Sequence, residues 1–253
     1  MKEKITLLGN GNMAYALASG LVLHYDVEIV GRDKEKLQLF EEKLQTQITK
    51  TLYSDFNATN KTVILCVKPA NITAMKTLIS GEAKTLYSVL AGTSIEKLKL
   101  NIQAKNYVRA MPNLAANIGK SMTTLTGEIT CKDEAIAIFS AIGATLWVSS
   151  QKELDIATAL AGSGPAYLAL IAEAFADGAV KQGLKRDDAM TLMRGLFLGF
   201  GEIIQKTHPA LLKDAVMSPG GTTAAGYSAM EENGVRFGCM KAIEAAYKRA
   251  TEL

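Results

Sequence analysis

The segment Gly9-Asn10-Gly11-Asn12-Met13-Ala14 follows a short apolar run at residues 5–8 directly and opens a helical pattern over 13–23. No other feature of the chain constrains its fold as strongly. It matches G-x-G-x-x-A, in which glycines permit a tight turn and a close backbone approach, so that a pyrophosphate can rest on the free N–H groups of the helix start. A glycine turn that merely joins a strand to a helix is the plain alternative. The placement inside a βαβ unit favours the nucleotide.

The alternation continues: strand patterns at 27–30 and 62–67 precede helical patterns at 34–44 and 71–79, as in a parallel sheet with crossover helices. Residues 86–90 and 107–111 read as two further strands, with Ser94-Ile95-Glu96-Lys97 opening a short helix between them. Weaker strands at 122–125 and 145–148 flank a helix near 133–142. After Ser149 the β-branched clusters vanish and Ala, Leu, Met and Gly dominate. We expect an α/β fold in which a Rossmann-type dinucleotide-binding domain (1–149) is followed by an all-α domain (150–253). Its helices are expected at 153–161, 166–182, 187–205, 210–216 and 224–251, with a break near Asn233-Gly234. Several are apolar or small around most of their circumference, and about a hundred residues cannot easily bury such helices alone. A second copy of the chain is the economical cover.

The end of the second strand bears on which dinucleotide is bound. An acidic residue there usually takes the ribose hydroxyls of NAD. Here the strand runs out through Val30-Gly31-Arg32-Asp33: Gly31 leaves space, and Arg32 offers a fork suited to a 2′-phosphate. NADP(H) is expected, with NAD(H) as the alternative because Asp33 lies one residue on. The third strand runs into Lys68-Pro69 near the expected nicotinamide end. Lys68 reads as a solvated turn residue and Pro69 as a helix-start proline.

In the helical half, Gly162-Ser163-Gly164-Pro165-Ala166-Tyr167 reads as a break between helices, equally a hinge or a site. Ser218-Pro219-Gly220-Gly221-Thr222-Thr223 precedes another helix. Successive N–H groups in a Gly-Gly turn form an anion cradle with two hydroxyls beside it, although Ser and Thr are also ordinary caps.

Other classes of function recede. A hydrophobic fraction of 48% excludes disorder, and 28 Lys plus Arg against 25 Asp plus Glu, interspersed, argue against nucleic acid as a partner. Cys66, Cys131 and Cys239 lie far apart with no metal or disulfide spacing, which suits a reducing, cytoplasmic setting. No signal peptide is expected, and Glu173, Asp177 and Lys181 disfavour a membrane span over 166–184. His24 and His208 stand apart from any paired nucleophile, and no metal-ligand cluster is seen. What is left is hydride transfer assisted by hydroxyls and backbone amides.

Gly9 to Ala14, Val67-Lys68-Pro69, the block from Gly162 to Tyr167 and above all Asp214-Ala215-Val216-Met217-Ser218-Pro219-Gly220-Gly221-Thr222-Thr223 together resemble pyrroline-5-carboxylate reductase. The resemblance runs from the first strand to the last helix. It implies NAD(P)H-dependent reduction of 1-pyrroline-5-carboxylate to L-proline, the last step of proline synthesis. It also implies a homodimer of interlocked helical domains, with dimers often assembling further into decamers. Carried over by motif, the cofactor falls on Gly9, Asn10, Gly11, Asn12, Met13, Ala14, Arg32, Cys66, Val67, Lys68, Pro69, Leu90 and Ala91. The small-molecule substrate falls on Gly220, Gly221, Thr222 and Thr223, with Thr223 and Ser218 as the catalytic hydroxyls. Ala161 departs from the serine that the family commonly has before Gly162. Two other readings are a β-hydroxyacid dehydrogenase, which would want a lysine near Gly164 to Tyr167, and a non-catalytic NADP sensor. The intact Gly220 to Thr223 block argues against the sensor.

Overall fold

The computed structural model describes residues 2–252, which form two compact units: the chain up to Ser163 with its last residues from Ala245, and Gly164–Glu244. The first unit holds an eight-stranded sheet: β1 (Lys4–Leu8), β2 (Asp26–Gly31), β3 (Thr49–Leu52), β4 (Thr62–Leu65), β5 (Ala83–Ser88), β6 (Ala104–Met111), β7 (Ser121–Gly127) and β8 (Gly143–Trp147). Their spatial order is β3-β2-β1-β4-β5-β6-β7-β8. All neighbours pair in parallel except β6 with β7.

Side-chain alternation explains why both faces are covered, because successive residues of a strand point to opposite sides. Leu7, Ile29, Ile64 and Tyr87 face one core, shared with α1 (Asn12–Leu21), α2 (Lys34–Leu44) and α5 (Lys132–Ser140). Leu8, Val30, Leu65 and Leu86 face the other, with α3 (Ile72–Leu78) and α4 (Ile95–Lys99). Ser94 is the N-cap of α4, its Oγ accepting from the Lys97 N–H at 3.2 Å.

Two features depart from the sequence pattern. β3 carries no apolar run: Thr49 and Lys50 are exposed at the sheet edge, and pairing with β2 rather than burial makes it a strand. The sheet is also not wholly parallel, since β7 turns back against β6.

Glu28 spends its charge inside the sheet. Its carboxylate accepts from Thr6 Oγ1 at 2.8 Å, Thr51 Oγ1 at 2.7 Å and Lys61 Nζ at 2.8 Å, tying β1, β2 and β3 to the turn before β4. Burial acts to raise its pKa, but those three hydrogen bonds and the Lys61 charge outweigh burial and leave it below the usual carboxylate range.

At residues 151–163 the first unit ends in α6 (Gln151–Ala157) and a π-helical turn, Thr158–Gly162. The expected break at Gly162 is therefore a widened helical turn: the Ser163 N–H reaches back to the Thr158 carbonyl at 3.0 Å, an i→i−5 bond.

The second unit contains α7 (Gly164–Lys181), α8 (Arg186–Ile203), α9 (Pro209–Val216), α10 (Thr222–Glu232) and the first part of α11 (Val235–Thr251), with Gly234 in the left-handed region between the last two. Its buried residues are Ala176, Ala189 and Met193, while Leu170, Leu192, Leu198 and Phe237 are all more than 60% exposed. So much open apolar surface marks a face that something covers. One stretch among the described residues, Gln151–Lys181, is long and apolar enough by length and composition to cross a membrane.

Candidate active site

In an open parallel sheet, ligands bind beyond the carboxyl ends of the strands, where the connections diverge to opposite faces. That point lies between β1 and β4. The ladder continues one residue past the strands here: Gly9 N–H donates to the Val30 carbonyl at 2.9 Å, Cys66 N–H to Leu8 at 2.8 Å and Val89 N–H to Leu65 at 3.2 Å. Gly9 to Ala14, Arg32, Cys66 to Pro69, and Leu90 with Ala91 thus share one edge of the sheet.

Gly9 has φ +105°, and a Cβ there would lie 3.1 Å from the Cys66 carbonyl oxygen, so both conformation and space call for glycine. Gly11 differs. It is the N-cap of α1 in extended conformation, no side chain caps the helix, no acidic residue occupies the first turn, and a Cβ would meet nothing within 4 Å. The first N–H groups of α1 have no side-chain cap and lie at the positive end of the helix beside exposed Gly11 and Asn12, which fits a pyrophosphate. Ala14 is fully buried and seats α1 on the sheet.

At the end of β2, Asp33 is committed elsewhere. Its Oδ1 accepts from the Glu35 N–H at 2.9 Å and the Lys36 N–H at 3.3 Å, capping α2. Gly31 gives its room to protein rather than ligand, because a Cβ would lie 2.9 Å from Leu37 Cδ2. Arg32 is exposed and forms no salt bridge among the described residues. Burial pushes the nearby Tyr53 hydroxyl up to about 12, with Arg32 pulling the other way. Lys36 was not evident from sequence: it lines a cleft of about 260 Å³ with Asn10, Gly11, Asn12 and Tyr15. A lysine in a charged helix reads as a solvated face, and only its position four residues after Arg32 could have signalled it.

Burial keeps the Cys66 thiol neutral by raising its pKa, so it offers backbone rather than a nucleophile. Lys68 is exposed and precedes a short 3₁₀ turn, Pro69–Asn71. Leu90 is buried, leaving Ala91 as the more open of that pair.

The second unit carries its own glycine-opened helix. Gly220 adopts φ +73°, and the Gly221 N–H closes a turn onto the Ser218 carbonyl at 3.0 Å. Gly221 is the N-cap of α10 with no side-chain cap and no acidic residue in the first turn. A Cβ on Gly221 would sit 2.5 Å from Ser218 Oγ. The turn therefore holds the Ser218 hydroxyl against bare backbone, and Ser218, Thr222 and Thr223 are all exposed beside the free N–H groups. His208 is an N-cap, its Nδ1 accepting from the Ala210 N–H at 3.3 Å.

A Rossmann-type sheet with a glycine-opened crevice, followed in one chain by a helical unit with a second uncapped, glycine-opened helix start, defines a dinucleotide-dependent oxidoreductase. Residues 151–253 match the family model for pyrroline-5-carboxylate reductase dimerisation, and residues 4–92 that for NADP oxidoreductase, coenzyme F420-dependent. A pyrroline-5-carboxylate reductase from Synechocystis sp. is 34% identical over 100% of this chain and 99% of its own. Among solved structures, that of the Coxiella burnetii pyrroline-5-carboxylate reductase aligns with a TM-score of 0.85 and 32% identity over 100% of this chain and 98% of its own. The Plasmodium falciparum pyrroline carboxylate reductase, solved with NADP bound, gives 0.80 and 27% over 99% and 97%. The chain belongs to the pyrroline-5-carboxylate reductase family.

Arg32 follows the end of β2 with no salt bridge among the described residues, so Arg32→Ala should lower the ratio of kcat/KM for NADPH over NADH by about tenfold, the loss of one charge-assisted hydrogen bond. An unchanged ratio would remove Arg32 as a phosphate ligand and leave Lys36.

Proposed function

We infer that the chain reduces 1-pyrroline-5-carboxylate to L-proline, with NADPH preferred over NADH as the donor. The reading rests on one observation above the rest: α10 begins at Gly221 with its first N–H groups uncapped and two threonine hydroxyls beside them. That arrangement suits a small carboxylate attached to a ring whose nitrogen must be protonated. Family membership and the NADP-bound relative support the same conclusion.

NADPH, when bound, supplies the hydride that adds to the imine carbon; a proton goes to nitrogen, and NADP⁺ and proline are formed. The protonated imine is already a good electrophile, so the chain's task is to bind and orient. In this reading the N–H groups of Asn12 and Met13 at the start of α1 hold the pyrophosphate, and Arg32 with Lys36 takes the 2′-phosphate. Cys66 to Pro69, Leu90 and Ala91 line the nicotinamide end. The Gly220-Gly221 turn presents the free backbone N–H groups of Thr222 and Thr223 to the carboxylate, Thr223 directs its hydroxyl at the ring nitrogen, and Ser218 supplies a second hydroxyl. The division of labour falls at 149/150, beside the start of the dimerisation match.

The smallest working unit in this account is a homodimer, dimers assembling further into a decamer, in the cytoplasm. The exposed leucines and Phe237 of the helical unit support a second copy as the cover. Dilution is then expected to abolish activity together with helicity, and sedimentation of a stable, active monomer would refute it.

Purified protein should oxidise NADPH on addition of 1-pyrroline-5-carboxylate and yield proline; no turnover would overturn the assignment. Thr223→Ala should lower kcat more than it raises KM, by about ten- to a hundredfold, since a hydrogen bond to a charged group is worth roughly 1.5–3 kcal/mol. Thr223→Asn keeps a polar side chain at the second residue of α10 but presents no hydroxyl. Wild-type kcat in that variant would remove the Thr223 hydroxyl from the reaction.

A further inference from the structure

The π-turn Thr158–Gly162 raises a bonding problem that one side chain solves. In a regular helix the Ala161 carbonyl would accept from the N–H of residue 165, but residue 165 is proline and has none. Asn113 Nδ2 donates to that carbonyl instead, at 3.1 Å. Its orientation is fixed from the other end: Asn113 Oδ1 accepts from the Ala115 N–H at 3.1 Å, and the Asn113 N–H donates to Ser121 Oγ at 3.1 Å. A carboxamide with both ends engaged has one way to point.

Asn113 lies two residues past the carboxyl end of β6, and a Cβ on Gly162 would come 3.8 Å from Met111 Cγ at that strand end. Six residues before Ala161, Asp155 of α6 pairs with Arg109 of β6 at 2.7 Å, the arginine side chain only 3% exposed. β6 thus grips the helix at two points. In the β5–β6 register Ser88 lies opposite Arg109; carried two residues on, Leu90 stands level with Met111. Gly162 and Ser163 are therefore held beside the strand ends that the proposed function gives to the nicotinamide. π-turns recur at functional sites because they set a backbone segment off the regular helical path.

We propose that Asn113 is a positioning residue for hydride transfer: by supplying the donor that Pro165 withholds from the Ala161 carbonyl, it fixes the backbone of Gly162 and Ser163 at the edge where the reduced ring lies. The inference rests on the functional reading above. Asn113→Asp keeps the acceptor for the Ala115 N–H and loses the donor to Ala161; Asn113→Ser does the same with a hydroxyl too short to reach, and serves if the aspartate variant folds poorly. Three readouts decide: kcat and KM, NADPH affinity by fluorescence titration, and hydrogen exchange of the Ser163 amide. The expected result is a kcat lower by about ten- to a hundredfold, as misplacement of a reacting group produces, with KM and NADPH affinity unchanged and faster exchange confined to the π-turn. Unchanged kcat overturns the proposal. So does a kcat loss matched by losses in NADPH affinity and melting temperature, which would make Asn113 merely structural. If the wild-type protein fails to turn over 1-pyrroline-5-carboxylate, the functional reading fails, and unaltered exchange at Ser163 would then overturn the clamp separately.

Discussion

A helix begins with backbone N–H groups that have no partner within the helix, and how this chain satisfies them determines what the rest of the structure is for. Asp33, Ser94 and Ser150 cap α2, α4 and α6 with side-chain oxygens. α1 and α10 begin at Gly11 and Gly221, with neither a side-chain cap nor an acid in the first turn. Capping by Ser, Thr, Asp or Asn stabilises a helix by about 1 kcal/mol. Forgoing it at these two starts leaves donors for anions, and the substrates of the proposed reaction carry them: a pyrophosphate and a ring carboxylate.

The two units reach stability differently. The sheet buries apolar side chains on both faces, and its single deep carboxylate, Glu28, is matched by three donors. A buried charge left unpaired would cost several kcal/mol, so Thr6, Thr51 and Lys61 are as much part of the core as the leucines. The helical unit buries three side chains and leaves its large apolar groups in the open. In the proposed homodimer a second copy covers that surface, and the stability of the unit is then a function of concentration.

Much of this was legible in the sequence, for reasons that also explain the gaps. Gly9 to Ala14 announces itself because only glycine tolerates φ +105° against the Cys66 carbonyl, and Ser94 because a hydroxyl before a helix has a defined use. β3 was not legible: an edge strand of Thr49, Lys50, Thr51 and Leu52 carries no burial pattern, and its partner β2 is what orders it. The π-turn was invisible because a widened turn changes hydrogen bonding without changing the apolar period; Pro165, four residues after Ala161, was the available clue. Gly31 read as space for a phosphate, whereas the space is filled by Leu37. Asn113 and Lys36 had no motif around them. The roles proposed for them arise from what the fold brings near, the Ala161 carbonyl for one and the glycine loop for the other.

The central claim is that two separate glycine-opened helix starts bind two different anions. Gly221→Val tests it most directly, since the extended backbone there accepts valine while the side chain must displace the Ser218 hydroxyl. With the oligomer intact, the account predicts that KM for 1-pyrroline-5-carboxylate rises by about tenfold or more, as loss of a charge-assisted contact requires, and that NADPH affinity, measured by direct titration, does not change. An unaltered KM, or an equal loss of NADPH affinity, would contradict it.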